Sequence, residues 1–117
     1  MSEERRRASR IRSHHPVRLH RSGTLQVIET LTKDLAPGGL RCVSPTVLPI
    51  ASEVTVELPL SPGEEPITAR ARTVWFRAMP ESEQFDLGIA FLDLPPQTAR
   101  RLSAYMDRHA ETVQSSR

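Results

Sequence analysis

Hydrophobic and polar positions alternate along most of this chain, and the alternation gives way to a helical period only near its end. From Pro16, Val17 and Leu19 alternate with Arg18 and His20, and Arg21-Ser22-Gly23 reads as a turn. Residues 24–32 predict a second strand, with Leu25, Val27 and Glu29 facing one way and Gln26, Ile28 and Thr30 the other. Ala36-Pro37-Gly38-Gly39 reads as a turn in which proline presets the first corner and glycine supplies a positive φ at the second. A short strand over residues 40–43 follows, and Pro45 ends it. Val54, Val56 and Leu58 recur at period two and mark a buried face. After the loop Ser61-Pro62-Gly63-Glu64-Glu65-Pro66, residues 67–76 predict a long strand. Ile67, Ala69, Ala71, Thr73 and Trp75 share one of its faces. Thr68, Arg70 and Arg72 share the other, which later holds Val74 and Phe76. Residues 78–84 form a polar connection, after which Phe85, Leu87, Ile89 and Phe91 point inward.

The period then changes. Pro95-Pro96 opens a helix, with Pro96 at its first position, where a missing N–H costs nothing. Ala99, Leu102, Tyr105, Met106, His109 and Val113 fall on one stripe, and Arg100, Arg101, Asp107, Arg108 and Glu111 lie on or beside the wet face. About six strands at short spacing, joined by tight turns, favour closure over an open sheet, because closure removes unpaired edges. The expected class is therefore mainly β: a six-stranded antiparallel β-barrel with a C-terminal α-helix over an open end or seam. Residues 1–15 show no period and are read as a flexible basic arm, residues 16–113 as barrel plus helix, and residues 114–117 as a frayed tail.

Charge sharpens this division. The net charge is +2, but residues 1–21 hold seven arginines against Glu3 and Glu4, a balance of +5, while the rest of the chain sums to −3. Fifteen of the sixteen basic residues are arginine, whose planar fork suits phosphates and guanine edges; Lys33 is the exception. Cys42 is the single cysteine, so no intramolecular disulfide forms and a cytoplasmic location is expected. No apolar run approaches the roughly 20 residues of a membrane helix, so no membrane insertion is expected. The basic N-terminal stretch lacks the apolar core of a secretory signal.

Three elements, in this order, resemble the PilZ domain family, the bacterial receptors for cyclic di-GMP. The first is RxxxR, here Arg6-Arg7-Ala8-Ser9-Arg10, the one pair of arginines at that spacing in the chain. The second is the [D/N]xSxxG turn, here Asp34-Leu35-Ala36-Pro37-Gly38-Gly39. The third is a late strand pair followed by a helix, here Val74-Trp75-Phe76 and then Leu87-Gly88-Ile89-Ala90-Phe91 before the helix that starts near Pro96. The family's fold, a six-stranded barrel with a C-terminal helix, agrees with the period-based reading. The sequence departs from the motif at Ala36, which stands where the family has serine. That change lies in a turn, so it bears on ligand affinity and not on the fold.

The resemblance implies that Arg6 and Arg10 clamp cyclic di-GMP against the barrel and that the arm orders as they bind. The chemistry suits the residues, since an arginine fork matches guanine O6 and N7 and also binds phosphate in a bidentate, charge-assisted way. Arg5, Arg7 and Arg12 are auxiliary candidates that raise the on-rate of a dianion by steering. Asp34 accepts from guanine N1–H and N2–H, braces a ligand-binding arginine, or bonds its own turn. Ala36 lacks the hydroxyl's hydrogen bond, and Gly39 lets backbone and ligand approach closely. Trp75 and the phenylalanines are expected in the core, and Cys42 as a small buried hydrophobe. His14, His15 and His20 have no cysteine or carboxylate set at ligand spacing, so no metal is expected. No catalytic triad order, carboxylate pair or phosphate loop appears, so neither an enzyme activity nor a cofactor is expected.

The leading reading is thus a cyclic di-GMP receptor that passes the signal to an effector protein through a protein–protein contact. A second reading keeps the fold without the ligand, as an adaptor for motility or type IV pilus machinery; Ala36 favours it. A third uses the basic arm on nucleic acid, against which stand the acidic body and the lack of aromatics among the arginines. A homodimer is left open.

Overall fold

The structure, a computed structural model, describes residues 11–12 and 14–115, with side chains over residues 14–108. Its strands are β1 (Ile11–Arg12), β2 (Pro16–Arg21), β3 (Val27–Ala36), β4 (Gly39–Ser44), β5 (Glu53–Leu58), β6 (Ile67–Ala78) and β7 (Phe85–Asp93), followed by helix α1 (Pro96–Ser115). The pairing order β3-β2-β5-β6-β7-β4 returns to β3, so six antiparallel strands close a barrel. Residues one apart in a strand point to opposite faces. Val17 and Leu19, Leu40 and Cys42, the Val54-Val56-Leu58 set, Ile67, Ala69 and Ala71, and Leu87 and Ile89 all point inward and are buried. Leu48, from the connection after β4, joins them.

The long strand β3 makes the closure. Its first half pairs with β2, from Pro16 opposite Leu31 to His20 opposite Val27. Its second half pairs with β4 on one edge and β1 on the other, so that Arg12 and Arg41 are both register partners of Asp34. Among the described residues strand pairing therefore starts at Ile11, inside the segment read from the sequence as an arm. A two-residue strand is too short to show a period. Strand β3 also starts later than residue 24. Hydrogen bonds from Arg21 N–H to the Gln26 carbonyl, and from Gln26 N–H to Thr24 Oγ1, bend residues 24–26 into a loop and leave Leu25 in solvent.

Two register shifts turn side chains outward. In β3 the pairing steps from Thr32–Cys42 to Asp34–Arg41, with Lys33 as the extra residue. Thr32 is buried inside, while Lys33 and Asp34 both reach partners on the outer surface. In β6 the step falls between Thr73 and Trp75. Thr73 is fully buried, but Trp75 emerges 39% exposed and Phe76 40% exposed. The expectation that Trp75 and Phe76 are core is therefore corrected: the bulge at Val74 moves Trp75 to the outer face, and Phe76 is exposed as well. Phe85 and Phe91 pack partly buried against the core.

The β3–β4 turn also differs in detail. Ala36 pairs directly with Gly39, so the loop is two residues, Pro37 and Gly38. Neither Gly38 nor Gly39 has a positive φ; among the described glycines Gly23 and Gly63 do. Gly39 is required by crowding instead. A Cβ there would lie 2.0 Å from the Ile89 carbonyl oxygen on the adjacent β7 backbone.

Helix α1 buries Leu102, Tyr105 and Met106 and packs against β1 and β6. Its anchor is His15, whose Nδ1 lies 2.8 Å from the Tyr105 hydroxyl and whose Nε2 meets the Pro59 carbonyl. A carbonyl only accepts, so Nε2 carries a proton. The His15 backbone is fixed too: its N–H donates to Thr32 Oγ1, and its carbonyl accepts from Thr32 N–H. His20 bonds Glu57. Burial and, secondarily, the charge of Asp86 push the Cys42 thiol up to about 12, so it stays protonated and inert at neutral pH.

On the outer side, Asp86 of β7 is buried beneath Lys33 at 3.2 Å and Arg77 at 3.1 Å. Burial works against its ionisation. Hydrogen bonds from Arg77 and Lys33, with the charges of Lys33 and Arg41, outweigh it and hold the carboxyl below the usual range. A carboxylate with a lowered folded-state pKa stabilises the fold above its unfolded pKa, and that contribution is lost as pH falls through the folded value. Asp86→Asn should therefore cost about 1–2 kcal/mol at pH 7. The gap to the parent should narrow below the unfolded value of 3.8. Urea melts at several pH values test this; a gap that stays constant into strong acid would remove the charge from the account.

The turn gives a second test. Gly39→Ala should lower stability by about 1–3 kcal/mol, because the obstacle is β7 backbone. Gly38→Ala, with nothing within 4 Å of the added Cβ, should change it by less than about 0.5 kcal/mol. Equal urea midpoints for the two variants would contradict the crowding argument.

Candidate functional site

The site follows from register. Paired residues in adjacent strands share a face, and two rows of such partners run across the outer surface. One row reads Ala36 (β3), Gly39 (β4), Ala90 (β7), Arg72 (β6). The next reads Asp34 (β3), Arg41 (β4), Gly88 (β7), Trp75 (β6). Ala36, Gly39, Ala90 and Gly88 therefore adjoin one another with almost no side chain above the backbone. Taller neighbours stand around them: Asp34 and Arg41 on one side, Val74 and Trp75 on the other. The result is a depression of about 390 Å³ lined by these residues.

Each wall has a physical cause. Trp75 leans over Gly88, where an added Cβ would come 2.2 Å from the indole Nε1, so this glycine lets the ring lie flush on β7. Asp34 is buried, and its Oδ2 accepts from Arg41 Nε at 3.2 Å, with Arg41 Nη2 at 3.1 Å. Both donors lie on one side of the guanidinium, which fixes its plane. Arg41 stays one-third exposed toward the depression.

Other grooves lack this chemistry. One of about 400 Å³ between helix α1 and the loop after β5 is lined by Glu64, Glu65 and Arg101. It carries two acids against two bases, Arg101 and Arg108; Arg101 lies 3.5 Å from Glu64 and donates to the Glu65 carbonyl. Among the described residues no cluster of histidine, cysteine and carboxylate side chains could hold a metal ion.

The structure brings together three of the residues singled out in the sequence: Asp34, Ala36 and Gly39. Arg5, Arg6, Arg7 and Arg10 lie outside the described residues. Arg12 lies in β1 opposite Asp34, with its side chain outside them. Among the lining residues that were not foreseen, Arg41 and Trp75 bring the side-chain chemistry. Arg41 was accessible in principle: a two-residue loop after Ala36 sets Asp34 opposite Arg41, an acid facing a base. Trp75 was not, because the bulge that turns it outward has no local signal.

The comparisons with known proteins agree with this architecture. The family model of the PilZ domain matches residues 4–108. No curated protein matches. Among solved structures, the Bacillus subtilis inhibitor of motility, MotI/DgrA, superposes with a TM-score of 0.74 at 17% identity. That match covers 89% of this chain and 50% of that one, so the chain spans about half the length of the Bacillus protein. The PilZ domain of YcgR from Escherichia coli, solved with c-di-GMP, gives a TM-score of 0.68 at 15% identity, covering 92% of this chain and 93% of that one. A longer YcgR structure from the same organism, also with c-di-GMP, gives 0.70 at 18%, covering 92% and 49%. At these identities the structural likeness is one of fold. The family match spans nearly the whole described barrel and helix, and on that ground the chain belongs to the PilZ domain family.

Proposed function

We propose that this PilZ domain is a receptor for cyclic di-GMP, which binds in the depression over β3, β4, β7 and β6. The observation that carries the reading is the small-residue floor with Asp34, Ala36 and Gly39 at its edge, beside the point where β1 joins the sheet. Ile11 is the register partner of Leu35, and consecutive Cα atoms are about 3.8 Å apart, so Arg10 is tethered within one residue of that edge. In this reading Arg6 and Arg10 grip the guanines and phosphates with their forks. Arg5, Arg7 and Arg12 add positive potential that draws in the dianion. Asp34 steadies the arginines around it, Gly39 lets the ligand lie close to backbone, and Trp75 offers an aromatic surface for a base.

The domain acts as a binding module rather than an enzyme. Binding orders the arm over the barrel, and the surface so formed contacts an effector protein. The YcgR domain solved with c-di-GMP and the motility inhibitor share this fold, which supports both the ligand and a regulatory output. No helix among the described residues is long and apolar enough to cross a membrane.

Isothermal titration with cyclic di-GMP, with GTP and cyclic GMP as controls, tests the reading. Micromolar or tighter affinity is expected for the cyclic dinucleotide. Because Trp75 is the single tryptophan, the same titration should change the tryptophan emission. Arg10→Ala should weaken binding by roughly 10- to 150-fold, the loss of charge-assisted bonds worth about 1.5–3 kcal/mol. Arg70→Ala, which removes an exposed arginine paired with Glu53, should not. Ala36→Ser should tighten binding by roughly 2- to 12-fold through one recovered neutral hydrogen bond. No heat and no emission change at about millimolar ligand would instead favour the ligand-free adaptor.

A further inference from the structure

Arg41 sits at the wall of the depression with an unusual division of its donors. A guanidinium carries five N–H groups on three nitrogens. Asp34 takes the side that carries Nε and Nη2. The end-on edge, formed by Nη1 and the second Nη2 hydrogen, is left for another acceptor. The buried carboxylate holds the plane of the guanidinium, so that edge has a fixed direction.

What it faces follows from register. Gly88 is the β7 partner of both Arg41 and Trp75, the indole lies over it, and Arg41 and Trp75 both line the depression. Strands lie about 4.8 Å apart, which puts the two backbones roughly 10 Å from each other. A flat base lying in the depression meets the indole at one wall and the guanidinium of Arg41 at the other. An end-on arginine edge donates two parallel hydrogen bonds. Guanine presents two matching acceptors, O6 and N7, whereas adenine presents N7 beside an N6 amino donor, which opposes the arginine.

We propose that Arg41 is a specificity-determining contact that reads the O6/N7 edge of a guanine held in the depression beside Trp75. The inference rests on the receptor reading above and adds a barrel residue to the arm. It assigns to Arg41 the discrimination between guanine and adenine cyclic dinucleotides.

The test compares affinities of the full chain for cyclic di-GMP and cyclic di-AMP. Removing Arg41 outright would take a charged partner from the buried Asp34, so the informative variant is Arg41→Lys. It keeps a cation beside Asp34 but has no planar fork. A thermal melt close to that of the parent confirms that it folds. Arg41→Lys should lose roughly 5- to 150-fold in affinity for cyclic di-GMP, the range of one bidentate base contact. Its affinity for cyclic di-AMP should change little, so the ratio between the two ligands narrows. Arg77→Ala is the charge control: it removes an exposed cation two residues from Trp75 that does not line the depression. Its ratio should match the parent's. An unchanged ratio in Arg41→Lys, with binding still lost in Arg10→Ala, would overturn this inference and leave the receptor reading standing. Equal weakening of both ligands by Arg41→Lys and Arg77→Ala would also overturn it, in favour of general electrostatics. Failure of the parent to bind cyclic di-GMP would overturn both.

Discussion

Strand β3 is the constraint on which the rest of this structure depends, because it pairs with three strands. Its first half holds β2, and its second half holds β4 and β1 on opposite edges. Without that double use the barrel would open between β2 and β4, leaving two unpaired edges and exposing the layer of Val17, Leu19, Leu40 and Cys42. The same residues that close the barrel also build the site: Asp34 and Ala36 occupy the half of β3 shared between β4 and β1. Stability and function are therefore coupled here. A change that loosens the β3–β4 pairing disturbs the depression before it disturbs the far side of the barrel.

The period of two was enough to identify most of this architecture. Val54, Val56 and Leu58 alternate with polar residues because water lies on one side of the strand and the core on the other, and that contrast is written into the residue types. What the pattern could not carry were the irregularities. A bulge inserts one residue and inverts the facing of everything after it. Ile67, Ala69, Ala71 and Thr73 follow the expected face, and Trp75 does not, because Val74 takes up the extra step. In β3 the extra residue, Lys33, sends two successive side chains outward to Asp86 and Arg41. Both bulges feed the outer surface, which is why the barrel was legible and the site only in part. Asp34, Ala36 and Gly39 came from a motif; Arg41 and Trp75 needed register.

The site owes its shape to small residues more than to large ones. Gly39 and Gly88 are fixed by contacts within the protein, one by the Ile89 carbonyl and one by the Trp75 ring. Both would therefore be glycine even if no ligand existed. Their value to a ligand is secondary: a floor without side chains exposes backbone at close range and leaves the charged walls unobstructed. Ala36 continues that floor. A serine there would add a hydroxyl at its edge at little steric cost, since the position is half-buried and borders the open depression. The missing hydroxyl therefore lowers the number of hydrogen bonds on offer without altering the shape that receives the ligand.

Anchoring of the chain just before β2 sets the cost of any clamp that the arm makes. Fixing the backbone of one residue costs roughly 1–2 kcal/mol. His15 is already held at four points: its N–H and carbonyl by Thr32, and its ring by Tyr105 and the Pro59 carbonyl. Ile11 and Arg12 are already paired with β3. In the receptor reading, a ligand gripped by Arg6 and Arg10 therefore need not order Ile11, Arg12 or His15 at its own expense. For these three residues the saving is about 3–6 kcal/mol, comparable to two charge-assisted arginine bonds. It is enough to decide whether a clamp with an alanine at position 36 still closes. In that reading the His15–Tyr105 contact, made by residues that do not line the depression, contributes to the affinity of the site.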